Sequence, residues 1–121
     1  MPKILVADDD PLMVRLLTVT LPPEYEVVQA MDGLQTVALA EATVPDLVLL
    51  DVNMPGMNGF EVLRRIKQSE KLRKVKVIMV TARTDEADRN LGLQLGADAY
   101  LAKPYSPLAL LEKTSELLGE K

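Results

Sequence analysis

Three stretches of this chain, Ile4-Leu5-Val6-Ala7, Leu47-Val48-Leu49-Leu50 and Val77-Ile78-Met79-Val80, are apolar at every position. A strand with one wet face alternates apolar and polar residues, so an unbroken apolar run needs cover on both faces. Two weaker β-type runs join them, and every gap between runs is long enough for an amphipathic helix. Strands are predicted at 3–7, 26–30, 47–51, 76–80 and 99–102, and helices at 11–21, 33–42, 59–69, 85–95 and 107–118. Strict alternation of the two element types predicts an α/β fold with a parallel sheet.

Five such repeats fit a doubly wound five-stranded parallel sheet in the flavodoxin-like order 2-1-3-4-5, with helices on both faces. Length permits one domain with a real core. No linker, repeat or low-complexity stretch divides the chain, so residues 1–121 are expected to form a single domain with no output domain. Local signals agree. Asp10-Pro11 and Ser106-Pro107 each pair a capping residue with proline at the first helical position. Asn58-Gly59 marks a turn into the third helix, and Thr84 is placed to cap the fourth. Pro22-Pro23 ends the first helix, and Gly96 ends the fourth, where a positive φ is needed.

Composition removes whole classes of chemistry. There is no cysteine and no histidine, which excludes disulfides, thiolate catalysis, the commonest metal ligand and the commonest general base. A net charge of −4 argues against direct nucleic-acid binding, which needs a basic footprint. No stretch has the length of a membrane span and no leader pattern is visible, so a cytoplasmic location is expected.

What remains is a set of strand ends. In an open parallel sheet, ligands bind outside the carboxyl ends of the strands. Asp8 and Asp9 follow the first strand, Asp51 closes the third, Thr81 follows the fourth, and Lys103-Pro104 follows the fifth. Clustered carboxylates raise a pKa or recruit a cation, and so few hard oxygen donors suit Mg2+ rather than a calcium cage. Each residue has a plainer reading. The aspartates at 8–10 can all serve the first helix as caps, Asp51 can end a turn, Thr81 can cap, and Lys103 can be an exposed lysine before a bend. The coincidence of four strand ends outweighs the separate alternatives, because one cap accounts for one aspartate and Asp10 fills that place.

In these motifs the chain resembles a response-regulator receiver domain of the CheY-like type over essentially its full length. The matching residues are Ile4-Leu5-Val6-Ala7-Asp8-Asp9-Asp10, Leu50-Asp51-Val52-Asn53-Met54-Pro55-Gly56-Met57-Asn58-Gly59, Val80-Thr81-Ala82, and Gly96-Ala97-Asp98-Ala99-Tyr100-Leu101-Ala102-Lys103-Pro104-Tyr105. The resemblance implies that Asp51 is a phosphoacceptor, attacking a phosphohistidine in line to form an acyl phosphate. It implies Mg2+ bound directly by Asp9, through water by Asp8, and by Asp51 and the backbone carbonyl of Asn53. Lys103 would neutralise the phosphoryl oxygens, and Thr81 and Tyr100 would be the switch pair. The implied donor is a histidine kinase or histidine phosphotransfer protein. The output would be a downstream protein, or a C-terminal domain absent from this sequence, engaged through the fourth helix, fifth strand and fifth helix. A monomer or weak phosphorylation-dependent dimer is implied, since Ala99 and Ala109 are neutral where dimerising relatives carry charge.

Tyr105 replaces the usual phenylalanine, and Asn53 and Arg83 occupy positions that tune dephosphorylation in the family. Two other readings share these residues. One is a degenerate receiver acting only as an interaction module. The other is an aspartate-nucleophile phosphatase using Asp8 and Asp10, which Pro11 and the missing cap domain oppose. The last helix has more leucine than one buried stripe needs, so Leu108 or Leu110 is expected on a partner surface.

Overall fold

A computed structural model describes residues 2–8, 10–21, 23, 25–52, 54, 56–81, 86–102 and 106–119, with the Thr81 and Pro107 side chains set aside. Five strands and five helices alternate: β1 Lys3–Ala7, α1 Pro11–Thr20, β2 Glu26–Ala30, α2 Gly33–Thr43, β3 Leu47–Asp51, α3 Gly59–Gln68, β4 Lys76–Thr81, α4 Glu86–Gln94, β5 Ala99–Ala102 and α5 Pro107–Leu118. All strand pairs are parallel, in the order β2-β1-β3-β4-β5. The expected fold is therefore the observed one.

Successive residues of a strand face opposite ways, and the apolar runs divide accordingly into two cores. Leu5, Ala7, Val48, Leu50, Val77 and Met79 share one cluster with Ala40 of α2 and Val62, Leu63 and Ile66 of α3. Ile4, Val6, Leu47, Leu49, Ile78 and Val80 share the other with Leu17 of α1 and Leu110 of α5. Leu110 is thus a core residue, 3% exposed, whereas Leu108 is 62% exposed. The leucine excess resolves into one residue of each kind, and only Leu108 is left for a partner.

The helix ends explain the small differences in boundaries. Asp10 accepts a hydrogen bond from Leu12 N and Ser106 one from Ala109 N, each ahead of its proline. α1 stops at Thr20 because Leu21, which precedes Pro22, is already extended; proline disfavours helical backbone in its predecessor. α2 runs one residue beyond expectation to Thr43, then closes on Val44 in the left-handed region at φ 44°. A β-branched residue there is strained. Thr84 lies outside the described residues. At the start of α3, Asn58 accepts from Glu61 N, and a side-chain hydrogen bond from Arg64, followed by one from Arg65, holds the Glu61 carboxyl below its ordinary value. Because that value is lowered, the contribution exists above the ordinary carboxylate range and disappears as pH falls through the lowered value.

The far pole of the sheet is tied by one side chain. Asp98 Oδ2 accepts from Val77 N at 2.8 Å and from Lys67 Nζ at 3.1 Å, and the same ammonium donates to Val75 O at 2.9 Å. Gly96 makes room for the lysine stem: at φ 104°, a Cβ would meet Lys67 Cγ at 3.2 Å. This half-buried bridge joins α3, β4 and the turn into β5. Asp98→Ala is expected to cost about 1.5–2 kcal/mol, the lower part of the range for charged hydrogen bonds. A urea midpoint lowered at constant slope would show it, and an unchanged midpoint would mean that water replaces the carboxylate without loss.

Candidate functional site

The carboxyl ends of the strands form one edge, and chain punctuation delivers acids to it. β1 pairs with β3 so that Ala7 lies opposite Leu50, and the next step of that register brings Asp8 beside Asp51. Both carboxylate residues are buried, Asp8 at 4% and Asp51 at 6% exposure. Ionised groups seldom sit that deep unless something offsets the loss of hydration.

Asp8 is held from three directions. Its N–H donates to Ala30 O at 3.1 Å and so continues the ladder with β2. Its Oδ1 accepts from Asp10 N at 2.9 Å, and its carbonyl accepts from Gln29 Nε2 at 3.1 Å. Asp10 is exposed and caps α1, as expected.

Asp51 is the last residue of β3, opposite Val80 of β4. The chain beyond it turns at once: Val52 N donates to Val80 O at 2.8 Å, and Gly59 N returns to Val52 O at 3.1 Å. This return is close enough that a Cβ on Gly59 would lie 2.7 Å from Asp51 O and 2.8 Å from Val52 Cα. Only glycine permits α3 to start directly over the strand end.

Thr81 closes β4 opposite Ala102, and Tyr100 lies opposite Met79 on β5. Tyr100 is half-buried against the core shared with α3. Asp9, Asn53 and Lys103 lie outside the described residues, and so does the Lys103–Pro104 bond.

The sheet edge thus joins Asp8 and Asp51 and has Thr81 at the end of the neighbouring strand. Among the described residues, no group of three acidic, histidine or cysteine side chains forms a metal cage. Two adjacent buried carboxylates nevertheless suit Mg2+, which takes one or two carboxylates and keeps several waters. Asp32, the cap of α2, adds a further acid at this edge by accepting from Gln35 N at 2.7 Å. Sequence reasoning missed Asp32, Gln29 and Gly33. An Asp-Gly pair before an amphipathic run was the available signal for the first and third, while Gln29 carried none.

Comparison with known proteins bears on the same residues. A family described as "Response regulator receiver domain" matches residues 4–115. The response regulator PleD of Caulobacter vibrioides is 43% identical over 116 residues, covering 95% of this chain and 26% of PleD. The alkaline phosphatase synthesis transcriptional regulatory protein PhoP of Bacillus subtilis is 39% identical over 117 residues, 96% of this chain and 48% of PhoP. The chain therefore spans about a quarter to a half of these curated relatives. Among solved structures, a CheY-like receiver domain protein from Methanospirillum hungatei superposes with a TM-score of 0.90 at 33% identity, covering 98% of this chain and 94% of that one.

Proposed function

Because the chain belongs to the response regulator receiver domain family, we propose that it is a signalling switch that accepts a phosphoryl group on Asp51. The observation that carries this reading is the burial of Asp51 at the end of a central strand, one register step beyond the Ala7–Leu50 pair of β1 and β3. There the carboxylate is fixed in direction by the strand and by the Gly59 turn behind it. A phosphorus atom brought to the sheet edge meets one carboxylate oxygen in line, and the bond to the donor nitrogen breaks as the acyl phosphate forms.

Asp8 and Asp51, with Asp9 and the Asn53 carbonyl, are the groups assigned to hold Mg2+. When bound, the ion supplies positive charge to the phosphoryl oxygens. Lys103 is assigned a second point charge on the same oxygens, and Thr81 a hydroxyl donor to them. The protein itself orients the nucleophile, keeps bulk water from its buried oxygen, and answers the new charge through Thr81 and Tyr100. A buried group acquiring two negative charges is a local electrostatic event able to bias a two-state surface. Leu91, Leu93 and Leu108 expose apolar surface on α4 and α5, which favours that face as the output.

The chain has no histidine, so the donor phosphohistidine belongs to a kinase or a phosphotransfer protein. Its docking place is best sought on α1, which starts at Asp10 beside the site and exposes Leu12, Leu16 and Val19 along one side. No described helix is long and apolar enough to cross a membrane; the cytoplasmic location is assigned from the family resemblance. Contact with nucleic acid, for which the net charge of −4 is unsuited, is assigned to other segments of any longer protein carrying this domain. This domain acts as a switch, its proposed chemistry being the phosphorylation of its own Asp51.

Intact mass after incubation with acetyl phosphate tests the reading. A single phosphoryl adduct that requires Mg2+ and vanishes with excess EDTA is the expected result. Absence of any adduct, with or without Mg2+, would favour the interaction-module alternative.

A further inference from the structure

The first residue of α2 lies against the loop that leaves the proposed acceptor. A Cβ built on Gly33 would overlap Met57 O and stand 2.6 Å from Met57 Cβ and 2.9 Å from Met57 C. No side chain fits there while both backbones keep their places, and most of the obstruction is main chain that cannot rotate aside. The position is buried, and its φ lies outside the left-handed region. Glycine is needed here for proximity, not for conformation.

Which partner would yield is decided by how each is held. α2 is anchored at this end: Asp32 Oδ1 accepts from Gln35 N at 2.7 Å, and Asp32 O accepts from Thr36 Oγ1 at 2.7 Å. Thr36 and Ala40 then bury the same face further along the helix. The β3–α3 loop is held at its ends by Val52 N on Val80 O and Gly59 N on Val52 O, and Met54 between them is buried in the core. Between them Gly56 is exposed and has φ 77°, a pivot that few other residues supply. Met57, next to that pivot and only partly buried, is the partner that yields.

We infer that Gly33 is a positioning residue for the phosphoryl site: its missing side chain sets how closely the loop from Val52 to Asn58 approaches the sheet edge. That loop follows Asp51 directly, so its approach bears on the oxygen donors that the family resemblance assigns to it. The inference rests on the reading of Asp51 as an acceptor working with Mg2+.

Calorimetric titration of the unphosphorylated protein with Mg2+ tests it without depending on turnover. Gly33→Ala is expected to weaken Mg2+ binding about 10-fold, the lower end for loss of a group that supports metal ligands. Labelling by acetyl phosphate should slow at low Mg2+ and recover substantially at saturating Mg2+. Adding Met57→Gly, which removes the Cβ and loosens the loop, should restore part of the affinity. A general loss of stability would be worsened by that second change, not relieved. Should Gly33→Ala fail to fold by circular dichroism, Met57→Gly alone decides, and its expected result is weaker Mg2+ binding. Wild-type affinity in the folded variant overturns the positioning role while leaving the acceptor assignment intact. A wild-type protein that neither binds Mg2+ nor is labelled overturns both.

Discussion

Asp51→Asn abolishes the phosphoryl adduct. The amide has the shape of the carboxylate but its oxygen is a poor nucleophile, so the bond to phosphorus does not form. Shape conservation matters because the site is 6% exposed and wedged between β4 and the Gly59 turn. The substitution keeps the volume of the buried side chain, so the variant is expected to fold as the parent does, with an unchanged circular dichroism spectrum. Loss of labelling with retained fold separates a chemical role from a structural one. Labelling at the parental rate would move the acceptor to Asp8 or Asp9 and remove Asp51 from the reaction.

Leu63→Ala should be the most damaging of the simple truncations. Leu63 is fully buried on α3, in the cluster that also contains Leu50, Val48 and Met79. Neighbours on both sides are fixed, by strands below and by Val62 and Ile66 along the helix, so the space left behind collapses poorly. A cost of about 2–5 kcal/mol follows for such a site, against a total stability of roughly 5–15 kcal/mol. The corresponding fall in melting temperature is on the order of 10–20 °C. The urea midpoint should fall at unchanged slope, because the surface exposed on unfolding hardly changes. The same truncation at Leu108, 62% exposed, should stay within about 0.5 kcal/mol. Equal effects at the two leucines would mean that α5 packs differently from what its burial indicates.

Leu108 and Leu110 also show where local pattern stops being informative. Unbroken apolar runs identified β1, β3 and β4, since only a strand covered on both faces tolerates them. Caps such as Asp10 and Ser106 were legible because they act within a few residues. Leu108 and Leu110 were not separable, because a helix rich in leucine leaves the angle of its buried stripe undetermined until the sheet beneath is known. The adjacency of Asp8 and Asp51 was legible from a topological rule alone, as strand ends collect at one edge. The contact of Gly33 with Met57 was not. It joins segments that share no pairing or period, and it consists of an absent side chain. Asp9, Asn53 and Lys103 lie outside the described residues, so their assignments stay with the resemblance that supplied them.

The parallel register has a consequence in time. No strand of this sheet can pair with the next by a tight turn. Even the shortest closure, Ile78 to Ala99, encloses the whole of α4, and that of Ile4 to Leu47 encloses β2 and α2. Pairings of such span must lose chain entropy before contacts repay it, so refolding should be on the order of milliseconds or slower. On a ribosome adding ~5–20 residues per second, β1 has its β2 side occupied early, while its other side waits some seconds for β3. The first strand made is also the first to be paired on both sides, since β3 then waits for β4 and β4 for β5.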